Sequence, residues 1–526
     1  MNCSDMRKFN WVVLLPLLAL SGCISEDNPV GPVKSEKSIV ILYENDVHCG
    51  IDGYTKMRGL RDAIVRADTS YVALVSAGDF LQGDLAGALS YGQYIIDIMK
   101  NMGYDAVTLG NHEFDYGVPR MQELLPKIGT NIVCANLFEV GATTPMYQPY
   151  VIKQYGDKRI AFVGATTPES MTDEAYSFYD TDGSQLYDLR TNDCFSLVQQ
   201  AADKARQEGA DYVVVLSHLG EAESPTCVNS HKLVEATRGI DVVLDGHTHS
   251  VIECDPVANL DHVLVPTTQT GTKFNNVGKL WINREGKFVT TLVAKEDNPY
   301  TNDAITTTTD SIKQLMNKVT SEMVATIDFD LLAMEGSKWL VRSQETTIGN
   351  LLTDAFRTIF DCQIGLINGG GLRSGIKKGD ISYGDVIAVQ PNDNNVCIIQ
   401  VTGEELMTML TKCTASSPGD DGSFPQVSGM KFTIHNVSHT VSDVMIQDKG
   451  KDTYSPLDLN ATYTLCTADY CYNRGGMYKT LANCKLISLE AKLSRDVLRD
   501  YLRNTLKGVV PDRYKDVEGR ITIIND

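Results

Sequence analysis

A chain of 526 residues is too long for one hydrophobic core, so we expect two or more domains. Hydrophobic residues make up 43% of the chain and charged residues 22%, a balance that excludes a disordered or fibrous protein. The formal charge of −20 argues against a nucleic-acid polymer as partner, because a polyanion is bound by clustered Lys and Arg. The cysteines form no CxxC pair, which argues against a thiolate zinc site, and a bridge between Cys227 and Cys254 is left open.

The start of the chain has the features of an export signal. A basic stretch precedes an apolar run at residues 11–20, which is about ten residues long, too short to span a bilayer and typical of a signal peptide. Residues 20–23, Leu-Ser-Gly-Cys, resemble the bacterial lipobox, in which the cysteine is lipidated. We predict a signal peptide over residues 1–22 and a flexible tether over residues 23–37. The protein would then be an exported bacterial lipoprotein, held by a lipid on Cys23 to the periplasmic or cell-surface face of the outer membrane.

Residues 38–305 alternate short β-rich apolar runs with helical patterns. The apolar spacing at residues 93–102 and 194–207 is typical of amphipathic helices. Strands that alternate with helices predict a layered α/β domain. The predicted strands are residues 39–43, 71–76, 106–109, 160–164, 212–217 and 242–245.

Acid, amide and imidazole side chains lie at the ends of five of these strands. Because the loops at the carboxyl ends of strands in an open α/β sheet converge on one crevice, we expect these side chains to meet. Five of the nine histidines in the chain lie at these positions, which turn chemistry alone does not explain. The side chains are those of Asp46, His48, Asp79, Asn111, His112, His218, His247 and His249.

This donor set points to two divalent metal ions. Imidazole, carboxylate and amide without thiolate favour Zn, Mn, Co or Fe over a structural zinc site. The donors exceed what one ion needs, so we predict two ions that share a carboxylate. Two such ions clamp the attacking and leaving oxygens of an in-line displacement and lower the pKa of bound water. The predicted chemistry is hydrolysis of a phosphate ester.

The order and type of these motifs resemble those of the calcineurin-like metallophosphoesterases. The sequences NHEFDYG at residues 111–117 and NGGGLRSGI at residues 368–376 narrow the resemblance to the 5′-nucleotidase family of secreted two-domain enzymes. The resemblance covers residues 38–526. It implies an α/β fold with a four-layer α/β/β/α metallophosphoesterase domain over residues 38–305. An interdomain helix or linker would follow over 306–337, and a second α/β nucleotidase C-terminal domain over 338–526.

The resemblance also assigns roles to the side chains of the first domain. One ion would be held by Asp46, His48, Asp79 and His249, and the other by Asp79, Asn111, His218 and His247. His112 would be catalytic, stabilising charge on the transferring phosphoryl group or protonating the leaving oxygen. Asp115 would orient the ring of His112 and favour its cationic form. No covalent phosphoenzyme is implied.

In the second domain, the resemblance points to residues that contact the substrate. Asn368, Gly370 and Arg373 fall on such positions, and Arg373 can offer a bidentate fork to phosphate. Arg342 is a further candidate, and an exposed surface charge explains it equally well. In the family an interdomain rotation carries the bound ester to the metal ions.

Three positions depart from the family's pattern for binding a nucleoside. Asn392 and Cys471 stand where the two aromatic rings of a base clamp are expected, and Met477 replaces an Asp that accepts from ribose hydroxyls. Base stacking is worth about 1–3 kcal/mol per base, so these changes would redirect specificity. The rings that could replace the clamp are Tyr470, Tyr472 and Phe424.

The sequence leaves three functions open. The leading one is extracytoplasmic hydrolysis of nucleoside 5′-monophosphates or related phosphate esters to alcohol and phosphate, by a monomer. A phosphodiesterase acting on cyclic nucleotides, UDP-sugars or dinucleotides would use the same metal ions. A lipoprotein that captures nucleotides or phosphate without catalysis is the alternative of another class. It is disfavoured because every ligand position and the His112–Asp115 pair are present.

Overall fold

The computed structural model describes residues 37–180, 184–392, 394–474 and 476–525. The predicted signal peptide, the lipidated Cys23 and nearly all of the predicted tether lie outside these residues. No helix in these ranges combines the length and the apolar character needed to cross a membrane.

The first domain is built on two six-stranded sheets that face each other. In spatial order, the strands of the first sheet are Phe288–Ala294, Asn276–Ile282, Ser38–Glu44, Ser70–Ser76, Ala106–Val107 and Asn131–Ile132. Those of the second are Val251–Ala258, Leu264–Thr270, Val242–Leu244, Tyr212–His218, Lys158–Thr166 and Tyr150–Tyr155. The predicted strands therefore form, and His218 is the last residue of its strand rather than part of the loop that follows.

Strand alternation places one apolar face of each sheet between the sheets and the other under helices. In the strand Ser38–Glu44, Ile39 and Ile41 belong to the core between the sheets, whereas Val40 and Leu42 pack under the helices of the first sheet. In Tyr212–His218, Val214 faces the inner core and Val213 the outer one. The predicted four-layer α/β/β/α architecture is confirmed.

The helices form the two outer layers. The first sheet is covered by Asp52–Ala67, Gln93–Met99, Val118–Leu124 and Asp303–Thr320, and the second by Cys194–Gln207 and Ser230–Glu235. Shorter helices are Leu85–Ser90, Ser170–Asp173 and Ala175–Phe178. The amphipathic patterns at residues 93–102 and 194–207 are thus helical, the first over a shorter range than predicted.

Parallel pairing in both sheets brings the carboxyl ends of the strands to one edge of the domain. Ser38–Glu44 pairs in parallel with Ser70–Ser76, and that strand with Ala106–Val107. In the second sheet, Tyr212–His218 runs parallel to both Lys158–Thr166 and Val242–Leu244. The loops that carry the predicted ligands therefore leave the two stacked sheets at the same end.

The second domain is also α/β. Its five-stranded sheet has the order Pro425–Ser428, Ile364–Asn368, Thr462–Ala468, Asn395–Thr402 and Lys485–Leu493, and its four-stranded sheet Tyr454–Pro456, Thr440–Gln447, Met430–His435 and Ile521–Ile524. Two-stranded ribbons pair Met323–Ile327 with Gly379–Ser382, Met334–Glu335 with Lys338–Trp339 and, in the first domain, Phe138–Glu139 with Tyr187–Asp188. The main helices are Thr347–Ile359, Tyr383–Val389, Gly403–Cys413 and Ser494–Asp500.

The helix Asp303–Thr320 and the helix Ser494–Asp500 join the domains. Ile305 and Ile312 anchor the first of these helices in the core of the first domain, and the same helix also touches Tyr383–Val389 of the second. Across the junction, the buried Arg495 donates to the carbonyl of Ala88 at 3.3 Å, and the Tyr91 hydroxyl donates to the Asp496 carboxylate at 3.1 Å. These contacts fix the second domain over the metal-ligand edge of the first.

The cysteines of the described ranges are all thiols. The bridge left open between Cys227 and Cys254 is not formed. Nine of the eleven thiols are buried, and only Cys227 is fully exposed. They pack as small apolar side chains.

Candidate dimetal active site

The backbone at the predicted ligands is held in an unusual conformation. Asp46, His48, Asp79, His247 and His249 all have positive φ angles, of 52°, 40°, 61°, 85° and 58°. Side chains other than glycine rarely adopt this region, and such residues persist only where the surroundings hold them. Their concentration in three loops indicates that the loops are built to aim side chains at one point.

Glu113 holds two of these loops together. Its buried carboxylate accepts N–H groups of Asp79, Phe80 and Leu81 from the loop after Ser70–Ser76, at 2.8, 2.8 and 3.1 Å. It also accepts the N–H of Gly110, from the loop after Ala106–Val107, at 2.6 Å. Asp79 and Asn111 are therefore set relative to each other by one side chain.

Two glycines allow these loops to approach each other. A Cβ atom on Gly110 would lie 2.1 Å from Asp79 Oδ1, and one on Gly78, whose φ is +91°, would lie 2.4 Å from the Gly110 nitrogen. Any side chain at either position would displace Asp79.

Each aspartate uses one oxygen for structure and leaves the other in the centre of the site. Asp46 Oδ2 accepts the backbone N–H of His247 at 2.9 Å, and Asp79 Oδ1 accepts that of His112 at 2.9 Å. Asp46 Oδ1 lies 3.3 Å from His249 Nε2. Asp79 Oδ2 lies 3.7 Å from His48 Nε2 and 3.2 Å from His218 Nε2, a position between two groups of donors.

Backbone carbonyls set the tautomers of two histidines. His48 Nδ1 lies 3.2 Å from the Gln82 carbonyl and His218 Nδ1 lies 2.7 Å from the Ala77 carbonyl, so each Nδ1 carries the proton and donates it. Each Nε2 then presents a lone pair to the centre. His48 Nε2 faces His249 Nε2 at 2.9 Å, a contact between ring nitrogens that a cation would stabilise.

A second pair of donors faces inward beside the first. His247 Nδ1 lies 3.0 Å from Asn111 Oδ1, and Asn111 Nδ2 donates to Glu174 Oε1 at 3.5 Å, which turns the amide oxygen toward the ring. His247 Nε2 lies 2.8 Å from Glu169 Oε2, and this hydrogen bond lowers the pKa of the Glu169 carboxyl. The structure thus brings the seven predicted ligands to one place, because the pair of Asn111 and His247 lies beside the first group, with the ring centroids of His247 and His218 5.5 Å apart.

The donor set fits two divalent cations. Asp46 Oδ1 and His218 Nε2 are buried and have no hydrogen-bond partner among the residues that the structure describes. Ligand atoms held at about 2.0–2.2 Å from one ion lie about 2.8–3.6 Å apart, and four of the separations in the cluster, of 2.9, 3.0, 3.2 and 3.3 Å, fall in this range. Four of the residues, Asp46, His48, Asp79 and His249, offer donor atoms within 4.8 Å of one another. Carboxylate, imidazole and amide donors of this kind suit Zn²⁺, Mn²⁺, Co²⁺ or Fe²⁺.

His112 stands at the rim of the cluster and is oriented by Asp115. Its Nδ1 lies 2.8 Å from Asp115 Oδ2, and its ring meets that of His48 edge to face at a centroid distance of 5.0 Å. Burial alone would lower the pKa of His112, but the carboxylates of Asp115 and Asp79 outweigh burial and raise this pKa well above its ordinary value. The ring is therefore a cationic donor that faces the interdomain cleft.

Two adjacent cavities lie between His112 and the second domain. The first, of about 190 Å³, is lined by His112 and Asp115 on one side and by residues of the second domain on the other. The second, of about 420 Å³, contains all four predicted substrate residues. Asn392, Asn394 and Tyr470 line both cavities and so form a shared wall. The predicted substrate residues in the second cavity are Arg342, Asn368, Gly370 and Arg373.

The three rings considered as replacements for the base clamp differ in whether they reach this cavity. Tyr470 is 41% exposed and forms part of the shared wall. The other two rings considered as replacements do not serve, because Phe424 is buried in the core and the Tyr472 hydroxyl is turned to the Cys484 carbonyl at 3.4 Å.

Cys471 and Met477, two of the positions that depart from the family's pattern, have different surroundings. Cys471 is buried, and its thiol donates to Asn368 Oδ1 at 3.5 Å. Met477 is 45% exposed and lines the cavity. A thiol therefore lies beneath the cavity, and a thioether lies at its wall.

Sequence reasoning missed three carboxylates of the site: Glu113, Glu169 and Glu174. The available signal was weak. Glu113 lies inside the motif that contains His112, and Glu169 and Glu174 follow the strand Lys158–Thr166, whose carboxyl end carries none of the predicted ligands. All three contact backbone or ligand side chains in the cluster.

Stacked sheets whose strand ends converge on paired aspartates, histidines and an amide define a metal-dependent phosphoesterase domain. Comparison with known families agrees: residues 39–251 match the family "Calcineurin-like phosphoesterase" and residues 323–483 match "5′-nucleotidase, C-terminal domain". The chain belongs to the 5′-nucleotidase family and is a phosphoric ester hydrolase.

Curated relatives extend over nearly the whole chain. A trifunctional nucleotide phosphoesterase of Bacillus subtilis is 25% identical over 94% of this chain, which spans 36% of that protein's length. A 5′-nucleotidase of Rattus norvegicus is 26% identical, with 96% of this chain and 93% of the relative covered.

Solved structures share the fold. A 5′-nucleotidase precursor from Thermus thermophilus superposes with a TM-score of 0.58 at 24% identity, covering 93% of this chain and 100% of that one. The NAD nucleotidase of Haemophilus influenzae gives a TM-score of 0.57 at 15% identity, covering 93% and 99%.

We expect Glu113→Gln to lower the affinity for metal ions and the stability of the first domain. The amide would place an N–H₂ group against backbone N–H donors, and each buried donor left unsatisfied costs about 1–3 kcal/mol. Glu285→Gln, at an exposed position, is the matched control. Denaturant unfolding and metal content by mass spectrometry measure both effects. Equal values for the two variants would show that Glu113 does not organise the loops.

Proposed function

We propose that this protein hydrolyses nucleoside 5′-monophosphates or related phosphate monoesters to an alcohol and inorganic phosphate. The observation that carries the proposal is a pair of adjacent cavities, one lined by His112 and the other by Arg342 and Arg373, which share three lining residues. An ester held by the arginines would therefore lie next to the cavity of His112, at the edge of the metal cluster. The names of the curated relatives, nucleotide phosphoesterase and 5′-nucleotidase, support the same substrate class.

The metal ions would be held by the seven clustered side chains. Asp46, His48, Asp79 and His249 would hold one ion, and Asp79, Asn111, His218 and His247 the other. When bound, two such ions activate water and neutralise charge on the phosphoryl group.

The remaining steps belong to the protein's own groups. His112, kept cationic by Asp115, would donate a hydrogen bond to a phosphoryl oxygen or a proton to the leaving oxygen. Arg373 is exposed at the cavity and has no ion-pair partner within the described ranges, so its guanidinium can bind an anion. Arg342 stacks on Trp339 at 4.8 Å, which holds its charge at the cavity wall.

The binding of a nucleoside would rest on the ring of Tyr470, because Tyr478, which also lines the cavity, is buried with its hydroxyl on the Ser423 carbonyl. Tyr470 is the one ring of the three considered that lies in the cavity, and Met477 offers no acceptor for ribose hydroxyls. We therefore propose weak discrimination among bases and activity on small phosphate esters as well as on nucleotides.

Phosphate release by purified protein lacking residues 1–23 tests the proposal. We expect turnover of AMP, UMP and p-nitrophenyl phosphate that requires Mn²⁺ or Co²⁺, is abolished by a chelator and returns when metal is restored. UDP-glucose, 2′,3′-cyclic AMP and bis-p-nitrophenyl phosphate, coupled to a nucleotidase-free phosphatase, test diesterase activity. Turnover confined to these diesters would replace the monoesterase proposal. An absence of metal-dependent turnover on every substrate, together with tight nucleotide binding, would establish a capture protein.

His112→Ala should lower kcat by about 10²–10⁴-fold, because the variant loses the acid that faces the cleft. The metal content should not change, since the side chain of His112 belongs to neither proposed ligand set. His439→Ala, at an exposed position in the second domain, serves as control. A His112→Ala protein that keeps full kcat, or that loses its metal ions, would contradict the assigned role.

We also propose that the protein is a monomer attached to the outer membrane by a lipid on Cys23. Support comes from the signal-like apolar run and the Leu-Ser-Gly-Cys sequence at residues 20–23. Cys23→Ala should move the protein from the membrane fraction to the soluble fraction or leave the signal peptide uncleaved. A mature N-terminus without lipid at Cys23, measured by mass spectrometry of the wild-type protein, would exclude the anchor.

A further inference from the structure

We propose that Glu169 is a positioning residue that sets the tautomer and orientation of His247 and thereby creates the second of the two metal sites. The inference rests on the proposed dimetal function. It assigns a role to a side chain that no motif of the sequence pointed to.

The contact between the two side chains is direct. Glu169 Oε2 lies 2.8 Å from His247 Nε2, and both side chains are 19% exposed. A carboxylate only accepts hydrogen bonds, so at this distance the ring nitrogen must donate. The proton of neutral His247 is then on Nε2.

The carboxylate is itself held in place. Its other oxygen, Oε1, accepts from the Ser224 hydroxyl at 2.6 Å, and that hydroxyl lies 2.7 Å from Thr226 Oγ1. The Glu169 backbone carbonyl accepts the N–H groups of Thr172 and Asp173 at 2.8 and 2.9 Å. These hydrogen bonds, to the side chain and to the main chain, leave Glu169 little freedom to rotate.

This tautomer determines what Nδ1, on the opposite side of the His247 ring, can bind. With the proton on Nε2, Nδ1 presents a lone pair to Asn111 Oδ1 at 3.0 Å. Two acceptors at this distance repel each other, so the contact calls for a second ring proton when no metal is bound, or for a metal ion that both atoms ligate. Carboxylate partners of ligating histidines fix the ring and raise its basicity, and their loss costs about 10–100-fold in metal affinity.

The other metal site should be insensitive to this residue. Within the described part of the chain, the Glu169 carboxylate bonds to His247 and Ser224 and to neither His48 nor His249. Glu169 therefore differs from Glu113, which supports both loops and should affect both ions.

The test is a titration of metal-free protein with Mn²⁺ or Zn²⁺, in which calorimetry measures the affinity of each metal site. For Glu169→Ala we expect one of the two affinities to fall by about 10–100-fold and the other to stay. Glu169→Gln keeps an acceptor oxygen and should recover part of the loss. Glu223→Gln, exposed in the adjacent loop, should match the wild type. Nitrogen-15 NMR of the histidines should show the Nε2–H tautomer of His247 in the metal-bound wild type and its loss or exchange broadening in Glu169→Ala.

The outcomes separate this inference from the function beneath it. A wild-type protein that binds no second ion would overturn the dimetal proposal itself. A wild-type protein with two ions and a Glu169→Ala variant with unchanged affinities would overturn only the role of Glu169. Equal loss at both sites would overturn it in favour of a general structural role. Unchanged metal binding with a raised KM would make Glu169 a substrate contact instead.

Discussion

Four backbone N–H groups converge on the carboxylate of Glu113, and the geometry of the metal cluster depends on them. They tie the loop that carries Asp79 to the loop that carries Asn111 and His112. The close approach they require is the reason that Gly78 and Gly110 have no side chain. The proposed bridging carboxylate, amide ligand and catalytic histidine are thus placed by one buried side chain that belongs to neither proposed ligand set.

A second constraint acts on the histidines. The carbonyls of Gln82 and Ala77 and the carboxylate of Glu169 each take one ring proton, so the opposite nitrogen is left as a donor to metal. The protein orients these rings through backbone groups and one acid, before any ion binds. Such preorganisation reduces the reorganisation that binding of the ions would otherwise require.

Much of the first domain could be predicted from its sequence, because strand periodicity and the position of acids and histidines after strands are local signals. The positions of Asp46, Asp79 and His247 followed from them, and the structure brings these side chains together. The roles of Glu113 and Glu169 could not be predicted, because the sequence does not show whether a glutamate is buried against backbone N–H groups or exposed to solvent. Which of the candidate rings lines the cavity depends on tertiary packing, because packing buries Phe424 in the core and leaves Tyr470 in the cavity.

The thiols of the two domains have a consequence for how the protein is made. Among the described residues no disulfide closes a loop, and nine of the eleven cysteines are packed out of reach of solvent. Within these ranges, packing and hydrogen bonds therefore hold the fold, and no covalent link responds to the redox potential of the surroundings. The described part of the chain can thus be made with the same fold in a reducing cell interior as in an oxidising envelope.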